Sequence, residues 1–240
     1  MAGNDKFFGE TSSPTAHQAY AGQEALSLAD GLPMEGLALG PYNSSVLLTD
    51  PKRFGFILAR HKFVAKMLQG MDRVLEVGCQ EGIGTMLVGQ TVGHVVATDF
   101  YRLHIESCQT RLAPVLHNAT FKGWDILDGP VPEGFDGAFS LDVLEHIDGS
   151  QEDLYMRHIA DSLSDDGVFI VGTPSLESQE HASAASRASH INCKTGEQLR
   201  GLGRRFYRNV FMFGMNDEVL HTGFMPMCHY LFGMFVGPRR

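Results

Sequence analysis

Apolar positions change their spacing along the chain, and these changes predict its secondary structure. Residues 50–70 carry apolar side chains at helical spacing, with Asp50 as a helix cap, Pro51 at the first helical position and Gly70 at the end. The stretch RVLEVG that follows is a nearly continuous apolar run of strand length. Such a run is typical of a parallel strand buried on both faces. We therefore predict a helix followed by a buried strand.

Strands and helices continue to alternate as far as residue 174. The further predicted strands are HVVATD, ATFKGWD, FDGAFSLD and GVFIVGTP, and the predicted helices start at Thr85, run from Tyr101 to Leu112, and cover SQEDLYMRHIADSL. Strands that alternate with helices form right-handed β-α-β units. The pattern therefore predicts an α/β fold with a doubly wound, mostly parallel sheet.

The two ends of the chain depart from this alternation. Strand-like stretches at about 206–213 and 229–236 are joined without a helix, so we expect them to pair antiparallel. Residues 1–49 show no sustained period but contain tyrosines and leucines that need a surface to pack on. We predict an N-terminal arm or lid at 1–49, folded over the ligand cleft of a domain at 50–240. The alternative for the arm is a disordered tail.

Composition and charge narrow the classes of partner. The chain has 240 residues and a formal net charge of −9, which gives no overall attraction to nucleic acid. We expect the basic run at 194–208 to be a solvated helix face. Four separated cysteines argue against a disulfide framework and a structural zinc site. No apolar run reaches the ~18 residues of a membrane span, and no leader pattern opens the chain. A cytoplasmic protein is the expectation.

A glycine turn follows the first predicted strand, where an open parallel sheet binds its ligand. The turn contains Gly78, Gly82 and Gly84, spaced G-x-x-x-G-x-G, with Glu76 just before it. A dinucleotide-binding turn would read G-x-G-x-x-G. This spacing, together with the lack of a Tyr-x-x-x-Lys pair, argues against a dehydrogenase.

Five segments, in order, resemble the motifs of class I S-adenosylmethionine-dependent methyltransferases. They are VLEVGCQEG, VVATDF, GWDI, FDGAFSLDVLEHI and LSDDGVFIVGTPS, between residues 73 and about 175. The resemblance implies a seven-stranded Rossmann-like sheet with a reversed last hairpin, and S-adenosylmethionine as the cofactor of an enzyme. In one departure, Gln80 replaces the middle glycine of the first motif. If that position needs a positive φ, glutamine costs about 1 kcal/mol or more.

The resemblance also implies which residues hold the cofactor. Glu76 is expected to position the ammonium end, Asp99 to accept both ribose hydroxyls, and Asp125 to accept from the adenine amino group. For each acid the alternative is a capping or turn carboxylate. The full predicted set is Glu76, Gly78, Cys79, Gln80, Gly82, Asp99, Phe100, Trp124, Asp125, Ile126 and Leu141.

Two further motifs suggest the acceptor of the methyl group. SLDVLEHI resembles the small-molecule O-methyltransferases of ubiquinone biosynthesis, and the Asn- or Asp-Pro-Pro-aromatic run of DNA methyltransferases does not occur. GTPS followed by HINCKTGEQL resembles, more loosely, methyltransferases encoded near glycan genes. We predict methylation of a hydroxyl on a small molecule, most simply a sugar or glycan precursor. N-methylation of a small metabolite, a catalytically silent binding protein and a homo-oligomeric state remain open.

A hydroxyl acceptor must lose a proton, and histidine is the usual base near neutral pH. The predicted catalytic residues are His146, His190 and His221, with Asp142 and Glu145; His181 is a weaker candidate. We expect the first three histidines to meet at the carboxyl edge of the sheet. As an alternative, Asp142, Glu145 and His146, with His190, would bind a divalent metal such as Mg²⁺, Mn²⁺ or Zn²⁺.

Overall fold

A computed structural model describes residues 36–132 and 134–240 of the chain. Residues 38–240 form one compact unit. Most of the predicted arm, including Tyr20, lies outside the described residues. The helices are α1 (Pro41–Thr49), α2 (Pro51–Met67), α3 (Ile83–Val88), α4 (Arg102–Arg111), α5 (Glu152–Ser162), α6 (Ala184–Ser189) and α7 (Gly196–Phe206).

Eight strands form one sheet in the order β3-β2-β1-β4-β5-β8-β6-β7. Their bounds are β1 (Arg73–Val77), β2 (His94–Asp99), β3 (Ala119–Gly123), β4 (Phe135–Leu141), β5 (Leu163–Pro174), β6 (Tyr207–Asn216), β7 (Val219–His221) and β8 (Tyr230–Pro238). Strands β1 to β5 pair in parallel, whereas β8 is antiparallel to both β5 and β6. The predicted fold class is confirmed, with the short edge strand β7 as an eighth strand beyond the seven expected.

Helix α2 begins and ends as its sequence predicts. Pro51 occupies its first position, and the backbone N–H of Arg53 donates to the Asp50 carboxylate at 3.2 Å. This bond satisfies one of the unpaired donors at the helix start. After the helix, Gly70 has φ 86, a left-handed conformation that glycine adopts without steric cost.

The core lies between the central strands and the helices that cover them. Leu75, Tyr155, Phe169 and Phe235 are fully buried and belong to one apolar cluster. Helix α7 turns Leu199, Leu202 and Phe206 into this cluster and leaves its arginines towards solvent, so the basic run is a helix face as predicted. In the part of the chain that the structure describes, each helix is too short or too polar to cross a membrane.

Candidate active site

The carboxyl ends of the parallel strands open onto a cleft of about 1140 Å³. Strand order reverses between β1 and β4, and this is where an open α/β sheet binds its ligand. Ten of the eleven predicted cofactor-binding residues line the cleft, the exception being Gly82. Of the predicted catalytic residues, Asp142, Glu145, His146 and His190 line it as well.

Two glycines shape the turn after β1 for different reasons. Gly78 has φ 82, and a Cβ there would lie 2.4 Å from Cγ2 of Val143. Gly82 has φ 81, and its Cβ would lie 2.4 Å from Cδ1 of Leu112. Gly78 therefore lets the turn pack closely against Val143, whereas Gly82 lets it pack onto helix α4 beneath it.

Gln80 does occupy a left-handed position, with φ 47. Its backbone N–H donates to Oδ2 of Asp99 at 2.9 Å, and the Cys108 thiol donates to its carbonyl at 3.4 Å. These bonds hold a conformation that costs a non-glycine residue about 1–3 kcal/mol. The turn thus keeps the shape that a glycine would adopt more easily.

Asp99, at the end of β2, organises the turn as well as facing the cleft. Its Oδ1 accepts from the backbone N–H of Tyr101 at 2.8 Å, and its Oδ2 accepts from that of Gln80. Oδ2 also lies 3.3 Å from Nδ1 of His104, so of the two oxygens Oδ1, with one of its two acceptor sites used, retains capacity for a ligand hydroxyl. The capping role and the predicted ribose contact are therefore compatible.

Glu76 is buried at the base of the glycine turn. Its Oε2 accepts a short hydrogen bond from the Thr85 hydroxyl. Burial raises the pKa of Glu76 to about 8, despite that hydrogen bond. A cationic group bound nearby would favour the ionised form of this carboxyl.

The end of β3 supplies the other side of the predicted adenine site. The Trp124 indole N–H donates to the Gly129 carbonyl at 2.9 Å, which fixes the ring. Asp125 accepts from the backbone N–H of Leu127 at 2.9 Å, so it is a turn carboxylate that also lines the cleft. Phe100 lines the cleft with 76% of its surface exposed, so its ring is free to stack on a flat ligand.

The opposite half of the cleft brings Glu145, His146 and His190 together. Glu145 and His146 lie on a single 3-10 turn directly after β4, and His190 follows α6. The two imidazole centroids are 5.2 Å apart. One ligand atom from each of the three residues lies within 4.8 Å of the others, a spacing that could hold a metal ion.

Hydrogen bonds orient both histidine rings. Nδ1 of His146 lies 2.9 Å from the Ser189 carbonyl, which can only accept, so Nδ1 carries the proton of the neutral ring. Nδ1 of His190 lies 3.1 Å from Oε1 of Gln179, which favours the same tautomer. Burial lowers the pKa of His190, and the neighbouring His146 lowers it further. Each ring therefore keeps an Nε2 lone pair available for a proton or a metal.

Glu145 is only 1% exposed and incompletely hydrogen-bonded. Its Oε2 accepts from the Thr173 hydroxyl at 3.2 Å, but its Oε1 has no partner among residues 36–132 and 134–240. Burial and the charge of Asp142 raise the pKa of Glu145 to about 8. A buried carboxylate oxygen without a partner is costly unless a ligand satisfies it.

Asp142 lies beside this cluster and is bound to an arginine. Nη1 of Arg60 lies 3.2 and 3.1 Å from the two Asp142 oxygens, and its guanidinium carbon is 3.7 Å from the Tyr230 ring centroid. Asp142 has φ 57, a strained backbone for a non-glycine residue. The structure thus assigns Asp142 to an ion pair and leaves it out of the three-residue group.

The geometric expectation for His221 was wrong. His221 is on β7 at the outer edge of the sheet, four strands from β4, and is absent from the described residues that line the cleft. Its Nδ1 accepts from the Gly223 N–H at 3.0 Å, and its Nε2 is 3.9 Å from the Cys228 sulfur. The connection forms a third hairpin strand and so carries His221 away from β4. His181 does line the cleft and pairs with Glu180.

Tyr42 and Asn43 line the cleft and belong to the arm predicted to fold over it; Arg53 and Arg60 of α2 also line it, and sequence reasoning missed these two. Asn43 is buried, and its Oδ1 has no partner in the described ranges. The two arginines are seven residues apart on α2, a spacing that puts them on one helix face. That spacing was readable, but the sequence did not show that the face meets the cleft.

Comparison with known families decides the class of this site. Residues 74–167 match the family described as a methyltransferase domain, Methyltransf_25. The matched residues are fewer than half of the 240 in the chain. The predicted enzyme, a methyltransferase dependent on S-adenosylmethionine, is confirmed by this match. A search of curated proteins found no match.

Solved structures share the fold of this methyltransferase. N-methyltransferase NodS from Bradyrhizobium japonicum WM9, complexed with S-adenosyl-L-homocysteine, has a TM-score of 0.62 and 16% identity, over 84% of this chain and 95% of that one. The methyltransferase domain of bacterial CtHen1-C has a TM-score of 0.62 and 16% identity, over 77% of this chain and 100% of that one. The DhpI–SAH complex has a TM-score of 0.58 and 16% identity, over 82% of this chain and 92% of that one. At these identities the likeness shows the fold, that of a class I methyltransferase.

Proposed function

We propose that the protein transfers the methyl group of S-adenosylmethionine to a hydroxyl of a small molecule, a sugar or glycan precursor. The cluster of Glu145, His146 and His190 carries this proposal. It lies in the same cleft as the glycine turn and Asp99, and it offers proton acceptors to a hydroxyl. The looser resemblance to glycan-gene methyltransferases supports the sugar class.

The residues of the other half fit the cofactor. Gly78 lines the cleft without a side chain, Glu76 supplies a buried carboxyl for an ammonium, and the unpartnered Oδ1 of Asn43 offers another acceptor. Asp99 and Asp125 stand at the ends of β2 and β3, where the ribose and adenine would lie. The sulfonium of the bound cofactor supplies an activated methyl carbon.

The chain's own residues would position the acceptor and remove its proton. A hydroxyl near His146 and His190 can donate to a free Nε2, because both Nδ1 atoms are already hydrogen-bonded. The lowered pKa of His190 keeps that ring neutral and able to accept a proton at neutral pH. Much of the remaining rate would come from orientation and from exclusion of water.

A divalent metal is the second candidate for the role of this cluster. Two imidazoles and one carboxylate suit Mn²⁺ or Zn²⁺, and the unpartnered Oε1 of Glu145 is the observation that favours it. The hydrogen bonds from His146 to Ser189 and from His190 to Gln179 are of the kind that orient metal-binding histidines. In this case Glu145, His146 and His190 would be ligands, and no histidine would serve as the base.

N-methylation of a small metabolite is the remaining alternative for the acceptor, favoured by the likeness to NodS, which is named an N-methyltransferase.

We also propose that the arm at 1–49 acts as a lid. In its described part, Tyr42 and Asn43 of α1 line the cleft, and Glu81 of the glycine turn binds both of their backbone N–H groups. Deleting residues 1–40 should then lower turnover.

Two measurements test the proposal. Calorimetry should show binding of S-adenosylhomocysteine, and radiolabelled S-adenosylmethionine should transfer its methyl group to sugars and sugar phosphates, but not to their fully O-blocked forms. Matched amino sugars with and without a free amine separate O- from N-methylation. Binding without transfer to any acceptor would favour the silent protein, and failure to bind would contradict the cofactor site.

A further inference from the structure

The acceptor half of the cleft contains arginines as well as carboxyl groups. Arg53 and Arg60 of α2 line this half together with Asp50, Asp142 and Glu145, in a chain with a formal net charge of −9. The carboxylates expected to serve the cofactor, Glu76, Asp99 and Asp125, line the opposite half. A guanidinium in this half that no carboxylate neutralises would favour an anionic ligand there.

The two arginines of the acceptor half differ in their partners. Arg60 is only 16% exposed, and its Nη1 donates hydrogen bonds to the Asp142 carboxylate. Arg53 is exposed at the mouth of the cleft, and its Nη2 donates to the Tyr42 hydroxyl at 2.8 Å. Its guanidinium has no carboxylate partner within residues 36–132 and 134–240. Arg53 therefore keeps most of its donors for a ligand.

The surroundings of Arg53 hold it in place without neutralising it. Its guanidinium carbon lies 5.8 Å from the centroid of the Tyr42 ring, so the ring and the hydroxyl both restrain the side chain. Asp50 is one turn away and also lines the cleft, but its Oδ1 accepts from the Arg53 backbone N–H as the cap of α2. The positive charge of Arg53 reaches His190, whose pKa it helps to lower after burial and His146.

We propose that Arg53 is a specificity residue that binds an anionic group of the acceptor, a phosphate or a carboxylate, while the acceptor hydroxyl faces His146 and His190. This rests on the proposed function and narrows its substrate class to acidic small molecules, such as a sugar phosphate or an acidic sugar. A planar guanidinium with five donors binds such groups through two parallel hydrogen bonds. The ammonium of a lysine would replace only part of this recognition.

The experiment measures binding of defined probes to the enzyme already saturated with S-adenosylhomocysteine. The probes are glucose 1-phosphate, glucuronate and methyl glucoside, which separate phosphate, carboxylate and neutral acceptors. We compare the wild type with Arg53→Ala, Arg53→Lys and, as a matched control, Lys52→Ala, which removes the same charge from an exposed neighbour outside the cleft lining. Circular dichroism and the affinity for S-adenosylhomocysteine check that each variant is folded.

We expect one of the two anionic probes to bind the wild type. Arg53→Ala should weaken the affinity for that probe at least tenfold, and Arg53→Lys should weaken it less. Lys52→Ala should leave the affinity within twofold of the wild type. Methyl glucoside should not distinguish the variants. The inference is overturned if neither anion binds the wild type, or if Arg53→Ala behaves like Lys52→Ala. Because S-adenosylhomocysteine is loaded first, its failure to bind would instead count against the proposed function.

Discussion

The two halves of the cleft are built in different ways. The cofactor half comes from the ends of β1, β2 and β3 and the turn that follows each strand, so its residues are near neighbours in sequence. The acceptor half combines the turn after β4 with α2 and with the segment between β5 and α7. Its partners are distant: Arg60 and Asp142 are 82 residues apart, and His146 and Ser189 are 43 apart. Local motifs therefore describe the first half far better than the second.

The halves also use buried carboxyls in different ways. Burial raises the pKa of both Glu76 and Glu145 to about 8. Glu76 has its Oε2 hydrogen-bonded to Thr85, next to a glycine turn shaped for a ligand. Glu145 leaves Oε1 unpartnered in the described structure, opposite two free imidazole nitrogens. We infer that Glu76 binds a cationic group of the cofactor, and that Glu145 binds a proton or a metal.

The largest effect that separates the halves should come from His146. Replacing His146 with Ala removes an Nε2 from the acceptor half, so turnover should fall by about 10² to 10⁴, the range typical of a general base. Affinity for S-adenosylhomocysteine should stay within twofold, because the residue does not belong to the cofactor half. His181→Ala, another exposed histidine of the cleft, is the control. If neither His146→Ala nor His190→Ala lowers turnover tenfold, the base assignment is wrong.

A metal at the cluster would give a distinct pH signature. Because the pKa of Glu145 is raised to about 8, its carboxyl is protonated at pH 6, and a metal must displace that proton. Mn²⁺ affinity should then rise about tenfold per pH unit up to about pH 8. Titration calorimetry at several pH values measures this rise, and Glu145→Gln should abolish both the binding and its pH dependence. If a chelator leaves the activity unchanged, the metal hypothesis is wrong and the histidines keep the role of general base.

Asp99 should control the cofactor half. Its carboxylate is expected to accept from ligand hydroxyls, and charge-assisted hydrogen bonds contribute roughly 1.5–3 kcal/mol each. Asp99→Ala should therefore weaken S-adenosylhomocysteine binding at least tenfold, as measured by calorimetry. It should also lower the melting temperature, because Asp99 holds the N–H groups of Gln80 and Tyr101. Asp72→Ala, an acid at the opposite end of the strands, is the matched control for loss of charge.

The contrast explains what the sequence could predict. The strands followed from apolar runs and the acids at their ends from short motifs, since the geometry of a strand and its following turn is local; the order of the strands came from the resemblance to class I methyltransferases. His190 was placed correctly beside His146, because β4 and β5 are neighbours whose ends open on the same edge. His221 was misplaced, because nothing in its sequence indicated a third strand in the hairpin. Arg53 and Arg60 were missed, because helix packing across the cleft depends on contacts far away in sequence.

Glu76 should make the stability of the free protein depend on pH. Its folded pKa of about 8 is above the ordinary value of 4.5, so its favourable contribution is complete below about pH 4.5 and is lost as pH rises towards 8. Glu76→Gln should flatten this part of the curve of unfolding free energy against pH, by an amount on the order of 1 kcal/mol or more. Urea unfolding at pH 5 and pH 8 measures it. An unchanged slope in the variant would contradict the buried, protonated carboxyl.

The smallest effect should come from Gln80→Gly, which tests the one departure in the glycine turn. Gln80 has φ 47, and glycine removes a steric cost of roughly 1–2 kcal/mol in that conformation. Glycine also loses more backbone entropy on folding, by roughly 0.5–1 kcal/mol, so the net gain should be about 1 kcal/mol or less. In a domain of this size that raises the melting temperature by at most about 2–4 °C. The bond from its N–H to Asp99 remains, so S-adenosylhomocysteine affinity should change less than threefold. A lower melting temperature would instead mean that the glutamine side chain stabilises the turn through contacts that outweigh its backbone strain.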